Sequence, residues 1–132
     1  MDEMRQMLIV ALGGAVGSVA RYRLSGWVLH RAIDWTFPLG TFVVNVVGCL
    51  CVGLLAGLAV KEDFFSPDVR LLLFTGLMGG FTTFSAFGLE TFYLLRRGEY
   101  LIAGSNMVLS MGVGMLALFA GYQLIASRVA TA

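Results

Sequence analysis

Apolar residues in this chain fall into four long uncharged runs separated by short charged groups. Residues 6–20 lie between Arg5 and Arg21, 35–60 between Asp34 and Lys61, 71–89 between Arg70 and Glu90, and 100–127 between Glu99 and Arg128. A helix that crosses hydrocarbon needs roughly 20 apolar residues, with a range of about 17 to 25. The second and fourth runs exceed that length and the third meets it. The first reaches it if the helix continues through Arg21-Tyr22-Arg23 towards Trp27, with the arginines snorkelling or facing protein. The pattern predicts an all-α membrane protein. It forms a single transmembrane domain over residues 1–132, with helices at about 4–30, 39–60, 69–96 and 100–127.

The third run is not uniform. Three glycines, two threonines and a serine fall between Gly76 and Ser85, inside an otherwise apolar stretch. This composition predicts that helix 3 breaks around Gly79–Thr83, in mid-membrane. Backbone left unpaired at bilayer depth is tolerated only where protein or a water-filled cavity satisfies it. Broken helices in membrane proteins build ion sites for that reason.

Composition and charge narrow the picture. The chain is 58% hydrophobic and 13% charged, far too apolar for a soluble domain of this size. A net charge of +1 gives no basic face for nucleic acid. Four spans place Arg5, Lys61, Arg70 and Arg128 on one side, and Arg21, Arg23, Arg31, Arg96 and Arg97 on the other. Orientation follows an asymmetry of positive charge between the two sides, and four against five is almost none. The expectation is a chain that inserts both ways and pairs as an antiparallel, dual-topology homodimer. Two copies of the break would then meet about a two-fold axis in the membrane plane. Carbonyl oxygens freed in such turns are good ligands for a hard cation such as Na⁺.

Candidate chemistry is polar rather than catalytic. No carboxylate pair, nucleophile–base pair or metal cluster is visible, so an enzyme is not expected. Thr41, Asn45, Gly48 and Cys49 share one face of helix 2. Asn45 lies near the centre of its run and is either interhelical glue or a donor lining an ion path. Asn106, Ser110 and Gly114 lie four apart on helix 4. Phe84 and Phe87 share a face where helix 3 resumes. Rings turned edge-on would favour an anion, with Thr83, Ser85, Asn45 and Asn106 as donors; the alternative is ordinary packing. Arg21 is an interfacial anchor or a fixed positive charge in an anion vestibule. Glu90 is placed to pair with Arg96 or Arg97. Gly13/Gly17 and Gly53/Gly57 read as close-packing pairs. Cys49 and Cys51 read as small packing residues, pointing in different directions on one helix.

Three stretches together carry a family resemblance. Gly13-Gly-Ala-Val-Gly-Ser-Val-Ala-Arg-Tyr22, Gly40-Thr-Phe-Val-Val-Asn-Val-Val-Gly48 and Gly76-Leu-Met-Gly-Gly-Phe-Thr-Thr-Phe-Ser85 resemble the bacterial CrcB/Fluc fluoride channels. The resemblance covers essentially the whole chain. It implies passive export of cytoplasmic fluoride across the inner membrane, conferring fluoride resistance, by a dual-topology homodimer with two pores. It also implies a structural Na⁺ at the dimer centre, held by backbone carbonyls of Gly79 and Thr82 from both chains. By position, Phe84 and Phe87 match the pore aromatic pair, Asn45 the pore asparagine and Arg21 the arginine at the end of helix 1. Thr41 and Ser110 match further polar positions of the pathway. Ala86 departs from the family's usual threonine, and Asn106 and Gly114 from its usual helix-4 residues. The competing reading is a proton-coupled exporter of the small multidrug resistance type. That chemistry needs a carboxylate within helix 1, and residues 6–20 contain none.

Overall fold

A computed structural model of the chain describes residues 2–60 and 64–129; Lys61, counted above among the charges of one side, lies outside them. The described residues form helices joined by short non-helical stretches, with no strand, and four segments are long and apolar enough to cross a membrane. Helix α1 spans Asp2–Arg31 and α2 spans Leu39–Leu58. The third span, Pro67–Arg96, is built from pieces. They are α3 (Pro67–Arg70), a π-helical segment (Leu71–Met78), α4 (Gly79–Phe81) and α5 (Phe84–Arg96). The fourth span is α6, Tyr100–Val129.

Local sequence explains the ends. Ser66 caps α3 by accepting the Val69 N–H at 3.4 Å, and Pro67 takes the first helical position, where a missing N–H costs nothing. The turn into α6 is a Schellman closure. Gly98 N–H donates to the Leu95 carbonyl and Glu99 N–H to the Leu94 carbonyl, at 3.0 and 2.9 Å. Gly98 sits at φ +77°, a conformation glycine adopts without steric cost.

Packing follows two seams. One joins α2 to α6, and the other joins α1 to the π-helical segment and α4. The second seam is backbone against backbone. A Cβ placed on Gly17 would lie 2.8 Å from the Phe81 nitrogen and clash with the Leu77 carbonyl oxygen. The Gly13/Gly17 pair therefore serves the third span, while Gly53 and Gly57 meet α6 around Leu118 and Tyr122. Fully buried side chains are few, led by Val44, Leu94 and Asn106. Large apolar residues such as Leu12, Val108 and Met111 are exposed along α1 and α6. A chain whose apolar side chains face outward needs lipid or another protein around it.

Candidate ion path

The site is organised by two extended residues. Helix α4 ends at Phe81, Thr82 sits at φ −81°, ψ 156°, and Thr83 at φ −149°, ψ 116°; α5 then starts at Phe84. Asn45, from α2, holds this segment from the side. Its Oδ1 accepts the Thr83 N–H at 2.9 Å and its Nδ2 donates to the Thr83 carbonyl at 3.0 Å. Thr83 in turn caps α5, its hydroxyl accepting the Ala86 N–H at 3.2 Å.

These bonds take two amides out of the helical pattern. In an uninterrupted helix the Gly79 carbonyl would accept from Thr83, and the Thr82 carbonyl from Ala86. Both of those amides are committed, to Asn45 and to the Thr83 hydroxyl. The neighbouring Gly80 carbonyl has a long contact of 3.5 Å with the Ser18 hydroxyl. Backbone oxygens that lose their helical donors are the chemistry that a hard monovalent cation takes. Among the described residues no cluster of His, Cys, Asp or Glu offers a competing metal site.

Helix α5 presents two adjacent stripes. Thr83, Ala86 and Glu90 line a cavity of about 380 Å³ that also receives Arg21, Ser18 and Thr41. Glu90 accepts a 2.7 Å hydrogen bond from the Thr41 hydroxyl. Its second oxygen is buried with no hydrogen-bond partner. The arginine pairing expected for Glu90 is thus replaced by Thr41. Arg97 pairs with Glu99 at 3.1 Å instead, because the tight turn brings those two side chains together.

The second stripe carries the rings. Phe84 and Phe87 stand 5.6 Å apart between centroids, their planes inclined by 41°. Phe84 is 83% exposed, so its own chain does not cover it. Beyond Phe87 runs a chain of hydrogen bonds. Ser110 donates to Asn106 Oδ1 at 3.2 Å, Asn106 Nδ2 donates to the Thr91 hydroxyl at 2.9 Å, and Thr91 donates to the Phe87 carbonyl at 2.8 Å. Asn106 is 1% exposed, a buried amide whose position is fixed by these partners.

The structure therefore gathers Arg21, Thr41 and Thr83 at one cavity, and links Asn106 and Ser110 through Thr91 to the Phe87 carbonyl. Ser85 lies at the start of α5, its hydroxyl 3.4 Å from that of Thr83. Asn45 touches the backbone of the break, and one of its two amide hydrogens remains available to another acceptor. Thr91 was not among the residues singled out from sequence. Its signal was available: Thr83, Phe87 and Thr91 repeat at the four-residue interval that keeps side chains on one face.

Comparison with known proteins agrees in extent with this architecture. The profile of the family described as "CrcB-like protein, Camphor Resistance (CrcB)" matches residues 8–122. A protein of Methylobacillus flagellatus named fluoride-specific ion channel FluC is 60% identical over 122 residues, spanning 92% of this chain and 95% of its own. Proteins of the same name from Rhizobium etli and Rhizobium leguminosarum bv. trifolii are 47% identical over 126 residues and 48% identical over 118. They span 96% and 89% of this chain, and 100% and 94% of their own lengths.

Proposed function

This chain belongs to the CrcB-like family, and on that premise we propose that it is a fluoride channel, a multi-pass protein of the bacterial inner membrane that lets cytoplasmic fluoride leave down its electrochemical gradient. One observation carries the path. The segment bearing Phe84 and Phe87 is flanked by polar groups: Thr83 and its cavity before it, and the Thr91–Asn106–Ser110 chain, which reaches the Phe87 carbonyl, after it. A small anion with a tightly held hydration shell must be given replacement donors as it enters. Arg21 and the Thr83 hydroxyl at the cavity, with neighbouring Ser85 and the second amide hydrogen of Asn45, are placed to supply them, while Thr41 spends its hydroxyl proton on Glu90. Ring edges, which carry partial positive charge, continue the path without a fixed charge that would trap the ion. Beyond them the second amide hydrogen of Asn106 takes over, with Ser110 holding that amide in place through its own hydroxyl proton.

The working unit in this reading is an antiparallel homodimer. Near-equal positive charge on the two sides permits both orientations. Exposed Phe84 is a surface that an inverted copy would cover. The interruption at Thr82–Thr83 is read as a break at mid-membrane depth. There the carbonyls of Gly79 and Thr82 would hold Na⁺, together with their counterparts in the partner. The cation would neutralise the clustered carbonyl dipoles and tie the two chains together.

A small multidrug resistance-type exporter is disfavoured. The carboxylates of α1 are Asp2 and Glu3, both in its first turn, so its membrane-spanning part has no acid to exchange a proton.

The deciding experiment is efflux from sealed liposomes containing the purified protein, with fluoride compared against chloride. Fluoride release well above that of chloride is expected. Equal release of both, or none from a folded dimer, overturns the assignment.

A further inference from the structure

A second cavity, of about 560 Å³, opens beside the one that holds Thr83. It lies between the α1–α2 loop and the turn from α5 to α6. The two cavities share Leu29 and Glu90 as walls, so the second adjoins the first on its loop side. Its charge is unfavourable for an anion. Asp34, Glu90 and Glu99 line it, and Arg97 is the one cation among its lining residues. That guanidinium is held through Nε by Glu99 Oε1 at 3.1 Å. Its side chain is 59% exposed, and the contact uses one of the five N–H donors it carries.

We propose that the Arg97–Glu99 pair sets the rate of anion entry at this mouth: Arg97 draws the anion in, and Glu99 both positions the guanidinium and cancels part of its charge. The proposal rests on the reading of the chain as a fluoride channel. Charges that line a cleft change the local concentration of an ion there, and the effect falls with ionic strength. An ion pair this exposed contributes little to folding. The two roles therefore separate in experiment, because the charges can be altered while the fold stays intact.

The test is fluoride efflux from liposomes at fixed pH, in about 0.01 M and about 1 M salt, where the Debye lengths are about 30 Å and about 3 Å. At low salt Glu99→Gln is expected to raise the rate about twofold to threefold and Arg97→Gln to lower it by a similar factor, as one charge several ångströms from the ion in a watery mouth would do. Arg97→Lys, which keeps the charge, is expected to match the wild-type rate. At the higher salt all four proteins are expected to converge. Wild-type fluoride efflux with both Gln variants unchanged at low salt overturns the proposal and leaves the channel reading standing. Differences that persist undiminished at high salt overturn it as well, since they report altered structure. A wild-type protein that passes no fluoride overturns the channel reading and this proposal together. Size-exclusion profiles of the variants confirm that each rate belongs to a folded dimer.

Discussion

Asn45 holds Thr83 by both ends of its amide, accepting from the backbone nitrogen and donating to the backbone oxygen. The bond that the nitrogen would have made inside a helix is replaced by one to a neighbouring span. Asn45→Ala removes both bonds at once and leaves two backbone groups unmet. A loss of about 1 kcal/mol is expected, a typical worth for polar contacts between membrane helices. Fluoride efflux is expected to fall with it, because Thr83 loses its position. Thermal unfolding in detergent and liposome efflux, measured on the same preparation, check this. Unchanged values in both would remove Asn45 from the site.

The α1 seam is expected to be intolerant of volume. Gly17→Ala would push a methyl group onto the Leu77 carbonyl and the Phe81 nitrogen. Overpacking of this kind costs about 1–3 kcal/mol. Nothing lies within 4 Å of a Cβ at Gly26, so Gly26→Ala is the control and is expected to leave the melting temperature in place.

Thr91→Val keeps the shape of the side chain and deletes its hydroxyl. The Asn106 amide then loses its partner and the Phe87 carbonyl loses its side-chain donor. A cost of about 1 kcal/mol in stability is expected, with slower efflux from an intact dimer. Normal efflux from a destabilised protein would assign the chain of hydrogen bonds to packing alone.

Phe84→Ile and Phe87→Ile test the rings directly. A ring contact worth about 1 kcal/mol corresponds to about fivefold in rate. Each variant is expected to lose at least that much fluoride efflux while its size-exclusion profile stays dimeric. Rates equal to wild type in both would return the pair to packing.

Removal of Na⁺ probes the ion site proposed at the carbonyls of Gly79 and Thr82. Exchange into a bulky organic cation at constant chloride is expected to lower the melting temperature and shift the dimer towards monomer. A ligand present at about 100 times its dissociation constant stabilises by about 2.7 kcal/mol, so the shift should track Na⁺ concentration. A melting temperature indifferent to Na⁺ would exclude a structural ion there. Tag accessibility from both faces of sealed vesicles tests the antiparallel arrangement, and access from one face alone would exclude it.

Much of this is legible in the sequence. The four spans follow from the spacing of charges such as Arg70 and Glu90, because charge at bilayer depth is costly. Thr82 and Thr83, which have extended backbone, fall within the small polar cluster of that run. Other features were not legible for physical reasons. The π winding of Leu71–Met78 leaves no trace in an apolar run, since hydrophobic spacing reports faces and not hydrogen-bond register. The choice of Thr41 rather than an arginine as the partner of Glu90 depends on how α2 sits against α5. Sequence gives the faces of those helices but not their relative height.

The turn at Gly98 is closed entirely by backbone hydrogen bonds, from Arg97, Gly98 and Glu99 to carbonyls of α5. Its two charged side chains take no part in that closure. Selection can therefore exchange the charges at this mouth without disturbing the joint that carries them. The break between α4 and α5, where side chains and backbone are bound to one another, offers no such freedom. The protein thus separates a fixed interior from an adjustable entrance, and adaptation to different ambient fluoride would be expected to appear at the entrance first.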